Sequence, residues 1–435
     1  MLSHTTPTSR HAARILPAVL LLGLAAATSA CDSLLDVDPS PHTVPADELN
    51  KPTSLEARLV GAEANFFLAY DMAIVFGGLF TDELADPGNA IDERRVTADN
   101  GLIGATDEAP EGIDGLWTPM QRAAFTSNQM QDDILAGSFG DLIPDPPNSS
   151  ELARMSLFAG YSKLVLGELF CSTAFNGQGP EYTSEQTYQL AADELQMAID
   201  AIDAATAGPE DLDVLYAAYV GRARALLEAG DLEGARAAAE QVPPDWAYIA
   251  DVYSNNSSLE ENDIWNMLTD AQRYTVAPDF RNLTIDDTGE DDPRVDVFQD
   301  PDDPFAIDGS TPLFQARKYT SPTSPIRFAS GHEAQYILAE IAAAGGDAGT
   351  AVDIINEVRA RYGITIQYAS TDPQEVLTKL LDERGRTLFL EGQRMGDLRR
   401  FRERYGIDEF PTGDNYEDNV CMPLPNAERD NNPDI

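Results

Sequence analysis

The chain has 435 residues with 29 Lys and Arg against 74 Asp and Glu, a formal net charge of −45. A nucleic-acid binder neutralises phosphates with Lys and Arg, so a surface this acidic excludes nucleic acid as a main partner. Hydrophobic residues make up 43% and charged residues 24%, ordinary values for a folded protein, so the acidity does not imply disorder.

The first thirty residues differ from the rest. Arg10 and Arg14 precede an apolar run, Ile15 to Ala27, which ends in the small residues Thr28-Ser29-Ala30 before Cys31. The run is too short to span a bilayer and reads as a secretory signal over 1–30. Its removal takes away two arginines and no acid, leaving −47. A cysteine directly after such a site is the layout of a lipoprotein, with Cys31 acylated; cleavage after Ala30 without acylation is the alternative. Cys171 and Cys421 then remain. An even pair in an exported chain reads as one disulfide, two unrelated buried thiols being the alternative.

Residues 31–52 carry Pro39, Pro41, Pro45 and Pro52, which suits an extended tether. Helical spacing follows over 53–84, with Leu55, Leu59, Ala62, Phe66, Ala69 and Ala73 on one face. Residues 86–110 read as a loop. Further helices are predicted over 116–135, 151–170, 184–205, 212–229 and 232–241. A second hairpin runs over 333–344 and 350–362. Gly230-Asp231 with Ala235, and Gly346-Asp347 with Ala351, resemble the turn and second helix of tetratricopeptide repeats, where Gly permits the turn and Ala the close approach. Residues 243–330 are loop-rich, with seven prolines between Pro278 and Pro325 and ten carboxylates between Asp286 and Asp308. No calcium-loop spacing occurs there, so a solvated acidic surface is expected. The predicted fold is mainly α, with helical hairpins supporting an irregular region in one body over 53–435.

Enzyme chemistry finds little footing. His42 and His332 are the only histidines after residue 30, which leaves metal sites and most nucleophilic triads unsupported. There is no nucleophile elbow and no phosphate-cradling glycine loop. A glycosidase carboxylate pair is too easily found among 74 acids to count as evidence. No metal or cofactor is expected.

Leu381 to Phe401 reads as one amphipathic helix in which Glu391, Arg394 and Asp397 pair at spacings of three. Within it, Glu383-Arg384, Leu390-Glu391-Gly392-Gln393-Arg394 and Asp397-Leu398-Arg399-Arg400 resemble the signature helix of the SusD/RagB family. Other segments agree in order. They are Leu35-Asp36-Val37 after Cys31, Thr81-Asp82-Glu83, Asp292-Pro293-Arg294, Pro325 to Phe328 leading into Tyr336 to Glu340, Ile355 to Arg359, and Met422-Pro423-Leu424-Pro425. The motifs are strongest after residue 320. Thr28 in the lipidation signal, and Met395 where an aromatic residue is common, depart from the pattern, and the Cys171/Cys421 pair is not a general family feature.

The resemblance implies a surface-exposed outer-membrane lipoprotein, held to the membrane by its lipid alone. Such a protein captures oligosaccharide or peptide and passes it to a TonB-dependent, SusC-like transporter, with no catalytic residues. A helical scaffold without ligand, or a glycoside hydrolase, is the alternative. Sugar rings bind aromatic faces with polar side chains beside them. Trp117, Trp246 and Trp265 are expected in the core. The candidate ligand residues are Asp82, Asn89, Arg94, Arg95 and Asn100 in and after the first long helix, and Arg273, Tyr274 and Phe280 downstream.

Overall fold

The computed structural model describes residues 51–87, 116–256, 260–286, 288–411 and 420–435. Two compact units divide at Ser54. The described part of the first is residues 51–54, with the 3-10 turn Pro52–Ser54; the leader, Cys31 and most of the tether lie outside the described residues. The second unit, Leu55–Ile435, is mainly helical, as the spacing predicts.

Its central helix is α1 (Leu55–Phe80), in which every residue from Phe66 to Phe80 except Leu68 is buried. A helix apolar on all sides must be enclosed. The length and hydropathy of α1 would also suit a membrane span, but two thirds of that window is covered by protein. Helices α2 (Trp117–Leu135) and α3 (Ser150–Leu169) pack on it, and α4 (Ser184–Asp200), α5 (Pro209–Ala229) and α6 (Leu232–Ala239) follow, each against its predecessor. Start signals in the sequence explain the boundaries. Ser149 accepts a hydrogen bond from the Leu152 amide, and Thr183 with Gln186 forms a reciprocal capping box. The α4 helix ends at Asp200 rather than at residue 205.

Helices α7 (Gly331–Ala344), α8 (Ala348–Arg361), α9 (Pro373–Thr387) and α10 (Arg394–Tyr405) build the second half. Both hairpin turns work as their sequences predict. Gly230 and Gly346 take positive φ, and Asp231 and Asp347 cap the next helices by accepting from the Gly234 and Thr350 amides. Six-residue α11 (Asn426–Asn431) closes the chain.

Among the described residues, the strands of the irregular layer form only two-stranded antiparallel pairs: β1 (Leu84–Ala85) with β5 (Thr275–Val276), β4 (Ala247–Ala250) with β8 (Ile326–Ser330), and β6 (Val297–Phe298) with β7 (Gln315–Ala316). A fourth pair, β2 (Ser172–Thr173) with β3 (Tyr182–Thr183), follows α3. Isolated pairs are marginal in water, so this layer depends on the helices beneath it. Phe328 of β8 provides one anchor, with ring centroids 4.3 Å from Tyr161, 5.2 Å from Tyr70 and 5.4 Å from Phe66.

The expected single helix over 381–401 is broken. Between α9 and α10 the chain turns an elbow in which Leu390 has φ 52° and Gly392 φ 90°. Tertiary partners replace the helical hydrogen bonds. The Leu390 amide donates to Glu83 Oε1 at 2.8 Å, Tyr70 and Tyr319 donate to the Glu391 and Leu390 carbonyls at 2.6 and 2.8 Å, and Lys318 Nζ donates to the Phe389 carbonyl at 2.6 Å. A Cβ on Gly392 would lie 3.2 Å from both Tyr70 Oη and Ile74 Cγ1, whereas one on Gly346, at φ 87°, would meet nothing within 4 Å. Gly346→Ala is therefore expected to cost about 1 kcal/mol from backbone strain alone. Gly392→Ala should cost about 2–3 kcal/mol because close packing adds to the same strain. Urea unfolding of both variants measures the difference, and equal losses would contradict the packed elbow.

A candidate ligand face and the buried charge network beneath it

Most charged residues of the signature segment point inward. Arg384 forks onto Asp397 at 2.8 and 2.7 Å, and Asp397 also accepts from Arg400 at 2.7 Å. Arg400 in turn forks onto Glu340 of α7 at 2.8 and 2.9 Å and reaches Glu228 of α5. The expected helical pairs Glu391–Arg394 and Arg394–Asp397 do not form, because the elbow separates Glu391 from α10 and other elements claim all three. Glu391 binds Lys318 and, at 2.8 Å, Arg327; Arg394 binds Asp82 at 2.7 Å. In the irregular layer, Arg294 forks onto Asp292 and joins Glu383 of α9, which also holds Arg359 of α8 at 2.6 Å. Arg224 of α5 holds Glu333 of α7 at 2.7 Å.

This arrangement reassigns several expected ligand residues. Asp82 is 8% exposed and occupied by the Arg394 guanidinium. Tyr274 is 1% exposed, and Phe280, at 5%, stacks on Phe389 with centroids 4.9 Å apart and the planes 14° from parallel. All three face the interior because their neighbours there supply charge or rings that must be covered, so they support the fold and do not meet solvent. Arg273 is half-buried beside Tyr274. Asn89, Arg94, Arg95 and Asn100 lie outside the described residues. Trp117 is buried against Phe170, as expected, while Trp246 and Trp265 are only partly covered. Among the described residues no group of three or more His, Cys, Asp or Glu gathers as a metal site would require.

Aromatic and polar groups meet solvent on either side of the 88–115 segment. The chain leaves the irregular layer at Pro87, whose carbonyl accepts from Thr311 Oγ1 at 3.3 Å. Nearby, Phe305 is 45% and Ile307 59% exposed, Arg281 lies 4.2 Å from the Phe314 centroid, and Arg317 lies 4.3 Å from that of Phe298. The chain re-enters the described structure at Leu116, beside a groove of about 460 Å³. One wall is α2, with Gln121, Arg122 and Phe125; the others are the Asn176–Gly177 turn and α11. Cys171 and Cys421, which precede the Asn176–Gly177 turn and α11 in sequence, are joined in a disulfide with Cα atoms 5.1 Å apart. The sequence reading overlooked Phe125 and Arg122. Their signal was available, since the buried face of α2 runs through Met120, Ala123, Ala124, Ser127, Gln131 and Ile134, and Phe125 falls off that face.

The SusD family model matches residues 315–435. The fold is similar to that of a SusD superfamily protein of Bacteroides vulgatus at TM-score 0.61 and 16% identity, covering 88% of this chain and 97% of that one. A SusD-like carbohydrate-binding protein of the same organism gives TM-score 0.64 and 14% identity, covering 88% and 97%. Surface glycan-binding protein A of Bacteroides uniformis gives 0.60 and 15%, covering 86% and 98%. Among curated proteins there is no match. The SusD family match is confined to the C-terminal segment, and the structural likeness shows that a SusD-like fold extends through the helices before it.

The buried network fixes the pH dependence. Burial pushes the Glu83 and Glu168 carboxyls up to about 8, against the Leu390 amide and Arg224 respectively. Burial also acts on Asp397, but Arg384 and Arg400 outweigh it and hold that carboxyl down at about 2. The raised groups stabilise the fold fully below the ordinary glutamate value of 4.5 and lose that contribution as the pH rises through 8. The depressed group stabilises fully above 3.8 and loses its contribution as the pH falls through 2. Urea midpoints are therefore expected to peak near about pH 4–5 and to fall toward both 8 and 2. Midpoints that stay level from pH 5 to 8 would contradict the buried protonated glutamates.

Proposed function

We propose that this protein is a surface-exposed lipoprotein that captures an oligosaccharide, or a peptide, and hands it to a TonB-dependent outer-membrane transporter. Residues 1–30 are the leader, Cys31 carries the lipid, 31–52 is the tether, and the body from residue 53 onward is the capture unit. The observation that carries this reading is the family match over 315–435, continued by a SusD-like fold over nearly nine tenths of the chain. Two of the similar structures are described as a carbohydrate-binding and a glycan-binding protein, which supports a sugar ligand. Phe125 beside Arg122 and Gln121, and separately Phe314 beside Arg281, supply apolar ring surface next to guanidinium and amide groups. Such a surface suits a sugar's C–H face and hydroxyls. Binding without turnover is the favoured role, since among the described residues the buried Glu333, Glu340, Glu383 and Asp397 carboxylates are each engaged by arginines.

Affinity purification of tagged full-length protein from detergent-solubilised outer membranes tests the reading. A stoichiometric large β-barrel partner is expected, and Cys31→Ala should move the protein out of the membrane fraction. Recovery of the protein without a barrel would overturn the hand-over role.

A further inference from the structure

The groove on α2 brings an exposed ring together with planar polar side chains. Arg122 and Phe125, three positions apart, share one side of the helix. Phe125 is 48% exposed. The Arg122 side chain makes no ion pair or hydrogen bond among the described residues. In a chain of net charge −45, an exposed guanidinium would readily find a carboxylate, and most arginines here have done so. Gln121, one turn before Phe125, lines the groove; its Nε2 is spent on the Ala174 carbonyl at 2.6 Å, which leaves Oε1 as its remaining acceptor. Asn176, at φ 64°, lines the opposite turn.

The two walls facing α2 are joined to each other more firmly than to the helix. The disulfide links Cys171 to Cys421, and the Cys171 amide donates to the Met422 carbonyl while the Met422 amide donates to that of Leu169, both at 2.8 Å. Farther out, Asn432 Nδ2 donates to the Gly179 carbonyl at 3.2 Å and the Gly179 amide to Asp434 at 2.9 Å. The described C-terminal wall begins at Val420, beside Cys421, and the covalent bond is its strongest attachment there. Trp117, packed on Phe170 with centroids 4.8 Å apart, forms the floor just before the cysteine.

We propose that this groove is a ligand subsite for one pyranose ring of a neutral oligosaccharide, stacked on Phe125 and hydrogen-bonded by Arg122, Gln121 and Asn176. The Cys171–Cys421 disulfide holds its far wall in place. The inference rests on the ligand-capture reading and adds a place and a covalent preorganising element to it. Three features select the occupant. A single aromatic face beside planar donors and acceptors matches a ring with equatorial hydroxyls. The volume lies within the range of small-ligand sites. Glu428 on the facing wall and the acidic surface around it disfavour an anionic sugar. Rigid walls lower the ordering cost of binding, so the disulfide acts on affinity without touching the ligand.

Isothermal titration calorimetry on oxidised full-length protein with maltohexaose, cellohexaose, xylohexaose and laminarihexaose tests the proposal. For any hexaose that binds, Phe125→Ala should weaken affinity about tenfold, the effect of losing one stacking platform. Arg122→Ala should weaken it, and the Cys171→Ser/Cys421→Ser variant should weaken it several-fold. Phe125 and Arg122 are exposed, so their variants remain informative even if the double serine variant unfolds. Wild-type affinity in both Phe125→Ala and Arg122→Ala would overturn the subsite while leaving the capture reading intact. Failure of the wild-type protein to bind any of the four would overturn the neutral-glycan occupant, and co-purification of a barrel separately decides the capture reading.

Discussion

The Arg–carboxylate forks between α9, α10 and their neighbours are the constraint on which the rest of this structure depends. Burying a charge is costly unless it is paired and hydrogen-bonded. Arg384, Asp397, Arg400 and Glu340 meet that condition only when α7, α9 and α10 are all in place, and Glu228 extends the requirement to α5. Such a network adds little net stability over a hydrophobic core, but any arrangement that leaves one member unpaired loses several kcal/mol, roughly 3–5. Its effect is to penalise every other packing of these helices.

The elbow at 388–393 carries this constraint across to the irregular layer. Glu391 collects Lys318 and Arg327, Leu390 is held by Glu83, and Arg394 reaches back to Asp82 at the end of α1. Short strand pairs with little cooperativity of their own are thereby pinned at several points. The surface they present can then carry exposed rings and loops without endangering the fold, a division of labour suited to a binding protein. Charge is divided accordingly. Arginines are drawn inward to satisfy buried acids, which leaves the exterior strongly negative.

Much of the helical framework was legible in the sequence, because its signals are local. The Gly230-Asp231 and Gly346-Asp347 turns and the apolar periodicity of α1 and α3 each act within a few residues. The elbow was not legible. The 381–401 segment has helical periodicity throughout, and what breaks it is a set of hydrogen bonds to Tyr70, Glu83, Lys318 and Tyr319, between about 70 and 320 positions away. The same non-locality misled the ligand assignment. Asp82, Tyr274 and Phe280 have the composition of a binding site, but their partners Arg394 and Phe389 are distant in sequence, and only tertiary structure reveals that they are already satisfied. Phe125 and Arg122 could have been found, since they sit opposite the buried face of a helix whose register was readable.

If the elbow is the tie between the two layers, its backbone should open only when the whole body unfolds. Hydrogen–deuterium exchange with mass spectrometry, read on a peptide spanning residues 388–393, measures this directly. The account predicts protection equal to that of the α1 and α3 core peptides, with exchange governed by global unfolding. Exchange in this peptide through a separate, low-energy opening, while α1 and α3 remain protected, would contradict it.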